Sequence, residues 1–360
     1  MAITLQSRPH TVLNCIAWVT VLHCQALITQ AEDRDIKPIP KHFDRTYFQL
    51  QDDATRLHTE NNYEEHVLKC EEIVNFLSEC FDDNHWVLAT ERLRLDGVRT
   101  RNALSPELKE VLKAADKRFS GGNLFVKENN PAKAAEFYRD SLNGYRATVG
   151  EADIATMECL HRLANMQFLA GDSDAALDNS KQLLATARRA FGIHNPRTAV
   201  YQGTVGFISL ERGEFKAAEL NLDEAIRVFE LIDQKESPDN GHLLTFKARL
   251  LNKTGRFAEA LAIAHRATSI IGSHDSPAMD VLIASQVETA TAYLGCGDPD
   301  ECVYIFKRLR SSFAKHKDAL PKGRVFKEWL LTYKKALIDV KRLEEANEID
   351  LTIEKLGLSE

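Results

Sequence analysis

Twelve histidines and seven cysteines hold most of the obvious chemistry in this 360-residue chain, and their spacing argues that they do not use it. The histidines stand singly, with no His-Glu-x-x-His pattern, and no two cysteines form a Cys-x-x-Cys pair, so no metal site is expected. Cys70 and Cys80 fall ten residues apart on one predicted helix. At 1.5 Å per residue that is about 15 Å, beyond the reach of a disulfide. Cys70, Cys80, Cys159 and Cys302 therefore read as buried thiols acting as small apolar groups, and Cys296, beside Gly297, as the exposed one. His85 and His194 precede predicted helices and are expected to cap or pack turns. No glycine-rich phosphate loop follows a strand pattern, and no Cys/His or Ser/His/Asp set has a recognisable catalytic setting. The expectation is a protein that is not an enzyme and needs no cofactor.

Charge narrows the partners. With a net charge of −7, the chain is a poor non-specific binder of nucleic acid. The basic runs Lys307-Arg308-Leu309-Arg310 and Lys322-Gly323-Arg324 alternate with apolar residues and read as solvated helix faces.

The elements that would position a binding surface come from a repeat. Gly171, Gly213, Gly255 and Gly297 follow one another at intervals of 42 residues, and each opens an alanine-rich amphipathic segment. A fixed period of this size marks a stacked array, in which neighbouring units complete a core that none can build alone. In each turn glycine suits the left-handed backbone that ends one helix, a polar residue stands where the next is capped, and a small residue five positions on lets the helices approach. Asn129-Asn130-Pro131-Ala132-Lys133-Ala134 repeats the grammar 42 residues before Gly171, because asparagine also tolerates that backbone. Asn61-Asn62 and Lys341-Arg342 are expected as the turns of atypical outer units. Apolar residues at helical spacing, 44% hydrophobic and 28% charged residues, and few alternating β-branched runs predict a chain that is nearly all helix.

The small-residue, glycine and alanine positions Gly206, Gly213, Ala218 and Ala225 resemble the tetratricopeptide repeat (TPR). The 42-residue period, with His194-Asn195-Pro196-Arg197-Thr198-Ala199 opening a first helix, resembles the longer kinesin-light-chain type of that family. Lys247 and Thr289 depart from it at a usually apolar position, and Cys302 stands where alanine is usual. Phe81-Asp82-Asp83-Asn84-His85-Trp86 resembles the lead-in to such arrays in large bacterial envelope and signalling proteins. The resemblance implies an all-α solenoid of antiparallel helix pairs, coiled as a right-handed superhelix, with a concave groove lined by the first helix of each pair. Carrying the family's groove positions onto this chain selects Asn123, His161, Arg162, Asn165, Thr204, Phe207, Arg249, Asn252 and Lys253. Their amide and basic groups suit an extended peptide, and Phe207 offers an apolar contact. The implied function is a non-enzymatic scaffold for a protein or peptide partner, the alternative a ligand-responsive regulatory receptor, and third an enzyme subunit.

Outside the array, residues 1–31 resemble an export signal: Arg8, an apolar stretch from Val12 to Leu22, then small residues before Glu32 that suit cleavage after Ala31 or after Ala26. That stretch is too short to span a bilayer, which takes about 20 apolar residues, so no stable membrane span is expected after cleavage. An exported, periplasmic or secreted protein follows, with an N-terminally anchored or cytoplasmic chain as the alternative. Residues 32–42, with Pro38 and Pro40, read as an extended spacer. An N-terminal helical region with one divergent hairpin is expected over 43–105 and an array of about five to six units over 106–357.

Overall fold

In the helical hairpins from Asn129 onward the turn residue does what the repeat grammar asks. In a computed structural model, which describes residues 43–60, 62–315 and 324–357, Asn129, Gly171, Gly213, Gly255, Gly297 and Lys341 all take positive φ, from 54° to 91°. Each lets the next backbone N–H reach back five residues to a carbonyl, as Asp172 does to Gln167 at 2.9 Å and Arg342 to Leu337 at 2.8 Å, which satisfies a carbonyl of the last turn. Asn130, Asp172 and Asp298 then cap the following helix with their side chains, whereas Arg256 and Arg342 make no side-chain cap bond. Five residues after each turn, Ala134, Ala176, Ala218, Ala260, Cys302 and Ala346 are buried where the paired helices meet.

The result is an all-α solenoid of helix pairs, with fifteen helices and no strand among the described residues. A hairpin of α1 (Phe43–Thr59) and α2 (Tyr63–Cys80) and a single helix α3 (Trp86–Ala103) precede six pairs. These are α4 (Pro106–Lys127) with α5 (Pro131–Thr148), α6 (Ile154–Leu169) with α7 (Ser173–Ala190), and α8 (Pro196–Glu211) with α9 (Phe215–Leu231). The last three are α10 (Pro238–Lys253) with α11 (Phe257–Gly272), α12 (Met279–Gly295) with α13 (Pro299–Lys315), and α14 (Arg324–Asp339) with α15 (Leu343–Lys355). The export signal, the 32–42 spacer, Asn61 and the run Lys322-Gly323-Arg324, apart from the backbone of Arg324, lie outside the described residues.

A second 42-residue series links one pair to the next. Asp153, Asn195 and Ser237 accept backbone N–H bonds from Ala155, Arg197 and Asp239 and so cap α6, α8 and α10. His85 caps α3 in the same way through Nδ1, accepting from Val87, and stacks on Phe81 with ring centroids 4.0 Å apart. His194 is exposed, and its neighbour Asn195 caps the helix in its place.

The chain divides into two compact units. One comprises the described residues up to Ile208 together with Val228–Gln234. Its N-terminal core of Tyr47, Ile73, Leu77, Trp86 and Leu88 has Ile232 packed against it, and a second core gathers Tyr138, Leu142, Tyr145, Met157 and Leu160. Two polar anchors fasten α3 to helix starts in this unit: Arg101 donates to both oxygens of Asp153, each at 2.7 Å, and Asn195 donates to the Trp86 carbonyl and to Thr90. The other unit comprises Ser209–Arg227 and the described residues from Lys235. Its cores centre on Leu210, Leu222 and Leu250, on Leu244, Ile270 and Ile271, and on Val287, Phe306, Trp329 and Leu337.

Cys70, Cys80, Cys159 and Cys302 are buried free thiols and Cys296 is exposed. Burial pushes the Cys159 and Cys302 thiols up to about 12, which removes them from nucleophilic chemistry near neutral pH. No described helix is long and apolar enough to cross a membrane.

Candidate functional site

Asn123, Asn165, Phe207 and Arg249 occupy one repeat position on four successive first helices, 42 residues apart. In the first unit this position and its neighbours build a polar surface. Tyr138 donates its hydroxyl to Asn123 Oδ1 at 2.7 Å, leaving Asn123 Nδ2 without a hydrogen bond among the described residues. Arg162 sits with its guanidinium 5.6 Å from the centre of the Phe119 ring and pairs with Glu158 at 2.8 Å, half-exposed.

His161 is the hub of the next group. Asn165 Nδ2 lies 3.3 Å from its Nε2, Thr204 Oγ1 lies 3.2 Å away, and Tyr201 meets the ring edge-on. Burial lowers the His161 pKa, and its Nε2 stands between the Asn165 amide and the Thr204 hydroxyl. Asn165 Oδ1 is left without a hydrogen bond among the described residues, an acceptor to complement the open donors of Asn123. Thr204 returns its hydroxyl to the Val200 carbonyl, and Phe207 packs edge-on against Phe168 at 5.2 Å, half-buried beside the Ala176 core. Phe207 therefore holds the helices together as much as it faces outward.

In the second unit Arg249 is occupied by the chain itself. Four of its five donors reach carboxylates: Nε and Nη2 to Glu211 at 2.6 and 3.4 Å, Nη1 to Glu288 at 3.2 Å, and Nη2 also to Glu328 at 2.8 Å. Burial pulls the guanidinium pKa down, and these three carboxylates outweigh it, so Arg249 stays charged. Glu288, fully enclosed, has its pKa raised by burial despite Arg249 and Asn252. Asn252 donates to the Glu288 carboxylate and carbonyl, both at 2.9 Å, and the more exposed Lys253 reaches Glu328 at 3.4 Å. Arg249 and Asn252 are thus committed to internal bonds, and Lys253 is the more open of the two cations. No cluster of three or more His, Cys, Asp or Glu placed to hold a metal occurs among the described residues.

Residues 153–230 and 241–266 match tetratricopeptide repeat families. The chain carries tetratricopeptide repeats. A Rap protein complexed with Competence and Sporulation Factor shares the fold at TM-score 0.53 and 11% identity, over 87% of this chain and 98% of its own. So does aspartyl phosphate phosphatase F from Bacillus subtilis, at TM-score 0.53 and 14% identity over 99% of this chain and 96% of that one. Nearly identical TPR-like repeats assigned to a kinesin light chain of Podosopora anserina align at 18% identity over 56% of this chain and 95% of theirs, with a TM-score of 0.44. A search of curated protein sequences returns no match.

Sequence reasoning missed the acids that bind Arg249, because Glu211, Glu288 and Glu328 lie 38, 39 and 79 residues from it. It also missed Asp153 and Asn195 as anchors of α3. Their 42-residue spacing was the available signal, hidden by the difference in residue type.

Proposed function

We propose that this TPR protein is a non-enzymatic scaffold that holds an extended peptide segment of a partner on the polar face of α4, α6 and α8. The observation that supports the reading most is the open amide pair at one repeat position. Asn123 offers donors and Asn165 an acceptor, and an extended peptide backbone presents both kinds of group. Arg162, half-exposed and steadied by Phe119 and Glu158, adds a charged donor for a carboxylate on the same segment. The reading rests on these residues and not on the complex formed by the Rap protein.

The test is a selection of peptides on the full chain from a displayed random library, followed by Kd measurement for the selected sequence. Asn123→Ala with Asn165→Ala should weaken binding about 10-fold or more, since each amide lost removes about 1 kcal/mol of hydrogen bonding. Unchanged affinity in a variant of unchanged melting temperature would place the peptide elsewhere. We also propose that residues 1–31 direct export. The N-terminal sequence of protein isolated from its own cell should begin at Glu32, or at Leu27 by the alternative cleavage, and a start at Met1 overturns the proposal.

A further inference from the structure

A cavity of about 270 Å³ opens between α11, α12 and α13, lined by His265, Thr268, Gln286, Thr289, Arg308 and Ser312, with Ile305 and Leu309 as its apolar wall. None of its lining residues is acidic. It has arisen at a defined place in the repeat. Leu163, Val205 and Lys247 precede Thr289 at intervals of 42 residues, and each is larger than threonine. In the preceding repeat Lys247 fills the equivalent space, almost fully buried, with its ammonium 2.8 Å from Asp223 and 2.9 Å from Glu219. One repeat later threonine replaces that lysine, and His265 replaces Asp223. The filled, acid-lined space becomes an open one with basic walls.

Two of the hydroxyls in those walls are already used, and the remaining donors are not. Thr268 and Thr289 spend their hydroxyl protons on Ser285, on its Oγ at 3.0 Å and its carbonyl at 2.9 Å. Arg308 lies 5.6 Å from the centre of the Tyr304 ring and has no carboxylate partner among the described residues, unlike Lys247, Arg249, Lys253 and Arg256 of the same unit. His265 Nε2 is held 3.2 Å from the Tyr293 hydroxyl, which fixes the ring and leaves Nδ1 as a second polar atom. The Gln286 amide and the Ser312 hydroxyl complete the set.

We propose that this cavity binds an oxyanion, the carboxylate or phosphate of a small ligand, at a site separate from the polar face of the first helices. Arg308 supplies the charge, His265, Gln286 and Ser312 supply directional donors, and the Ile305 and Leu309 wall keeps part of the ligand out of water.

The test follows the His265 imidazole resonances by NMR in the full chain during titration with inorganic phosphate and, separately, with succinate. Saturable movement with at least one probe at millimolar concentration is expected, and the tighter probe tells phosphate from carboxylate. Arg308→Ala should weaken that binding at least 10-fold. Thr289→Leu, which restores the side chain that Leu163 shows at this repeat position, should narrow the cavity and weaken binding without lowering the melting temperature. Resonances unmoved by both probes overturn the proposal, as does equal binding by wild type and Arg308→Ala. A peptide site lost with Asn123 and Asn165 would leave these outcomes untouched, so the two readings fail separately.

Discussion

At Arg249 one guanidinium satisfies three carboxylates, two of them in nearly dry surroundings. A buried ion group of this kind is costly to break from one side, because the remaining charges lose their compensation without regaining water. Arg249→Met should therefore destabilise the protein by about 3–5 kcal/mol in urea denaturation at pH 7. The pH dependence has a definite sign. Burial already raises the Glu288 pKa, and removing the cation raises it further, so the folded variant holds that proton more tightly than the unfolded chain does. Its deficit against wild type should shrink as pH falls from 7 towards 5, and equal deficits at both values would show that Glu288 does not depend on Arg249. At this scale the sequence was only half legible. The repeat position selected Arg249, yet nothing local revealed its partners, since ion pairs across helices leave no periodic trace.

The helical hairpin is the element that the sequence defined best, because its turn obeys backbone sterics. Asn129 could be read as a glycine substitute, and its φ of 54° agrees. The turn before α15 is less comfortable, with Lys341 at φ 61° where four earlier turns have glycine. Lys341→Gly should raise stability by a few tenths to about 1 kcal/mol, whereas Gly213→Ala, at φ 78°, should lower it by about 1–2 kcal/mol. Opposite signs in thermal melts are the check, and a loss at both positions would mean that the turns are not equivalent. Ala218→Trp probes the crossing itself: Ala218 is fully buried against Leu210, Leu222 and Leu250, and an indole there should cost about 1–3 kcal/mol or more. The turns between pairs were harder to read, because aspartate, asparagine and serine perform one capping task at Asp153, Asn195 and Ser237.

For the molecule as a whole, stacked repeats contact mainly their neighbours, so stability is shared locally unless something ties distant repeats together. Within the first unit α3 is such a tie. Its ends are anchored at Asp153 and at Asn195, the starts of two different pairs, and the core it belongs to also receives Ile232. The sequence placed this stretch in an N-terminal helical region but did not show what it rests on, for the anchoring partners stand 52 and 105 residues away. Cutting one anchor should therefore be felt at the other. Arg101→Met leaves Asp153 buried with only its capping bond, a loss of about 3 kcal/mol or more. In hydrogen exchange α3, the start of α6 and the start of α8 should lose protection together, while α12 and α13 in the other unit keep theirs. If faster exchange stops at the Asp153 cap and the start of α8 is unchanged, α3 rests against the array without coupling its repeats.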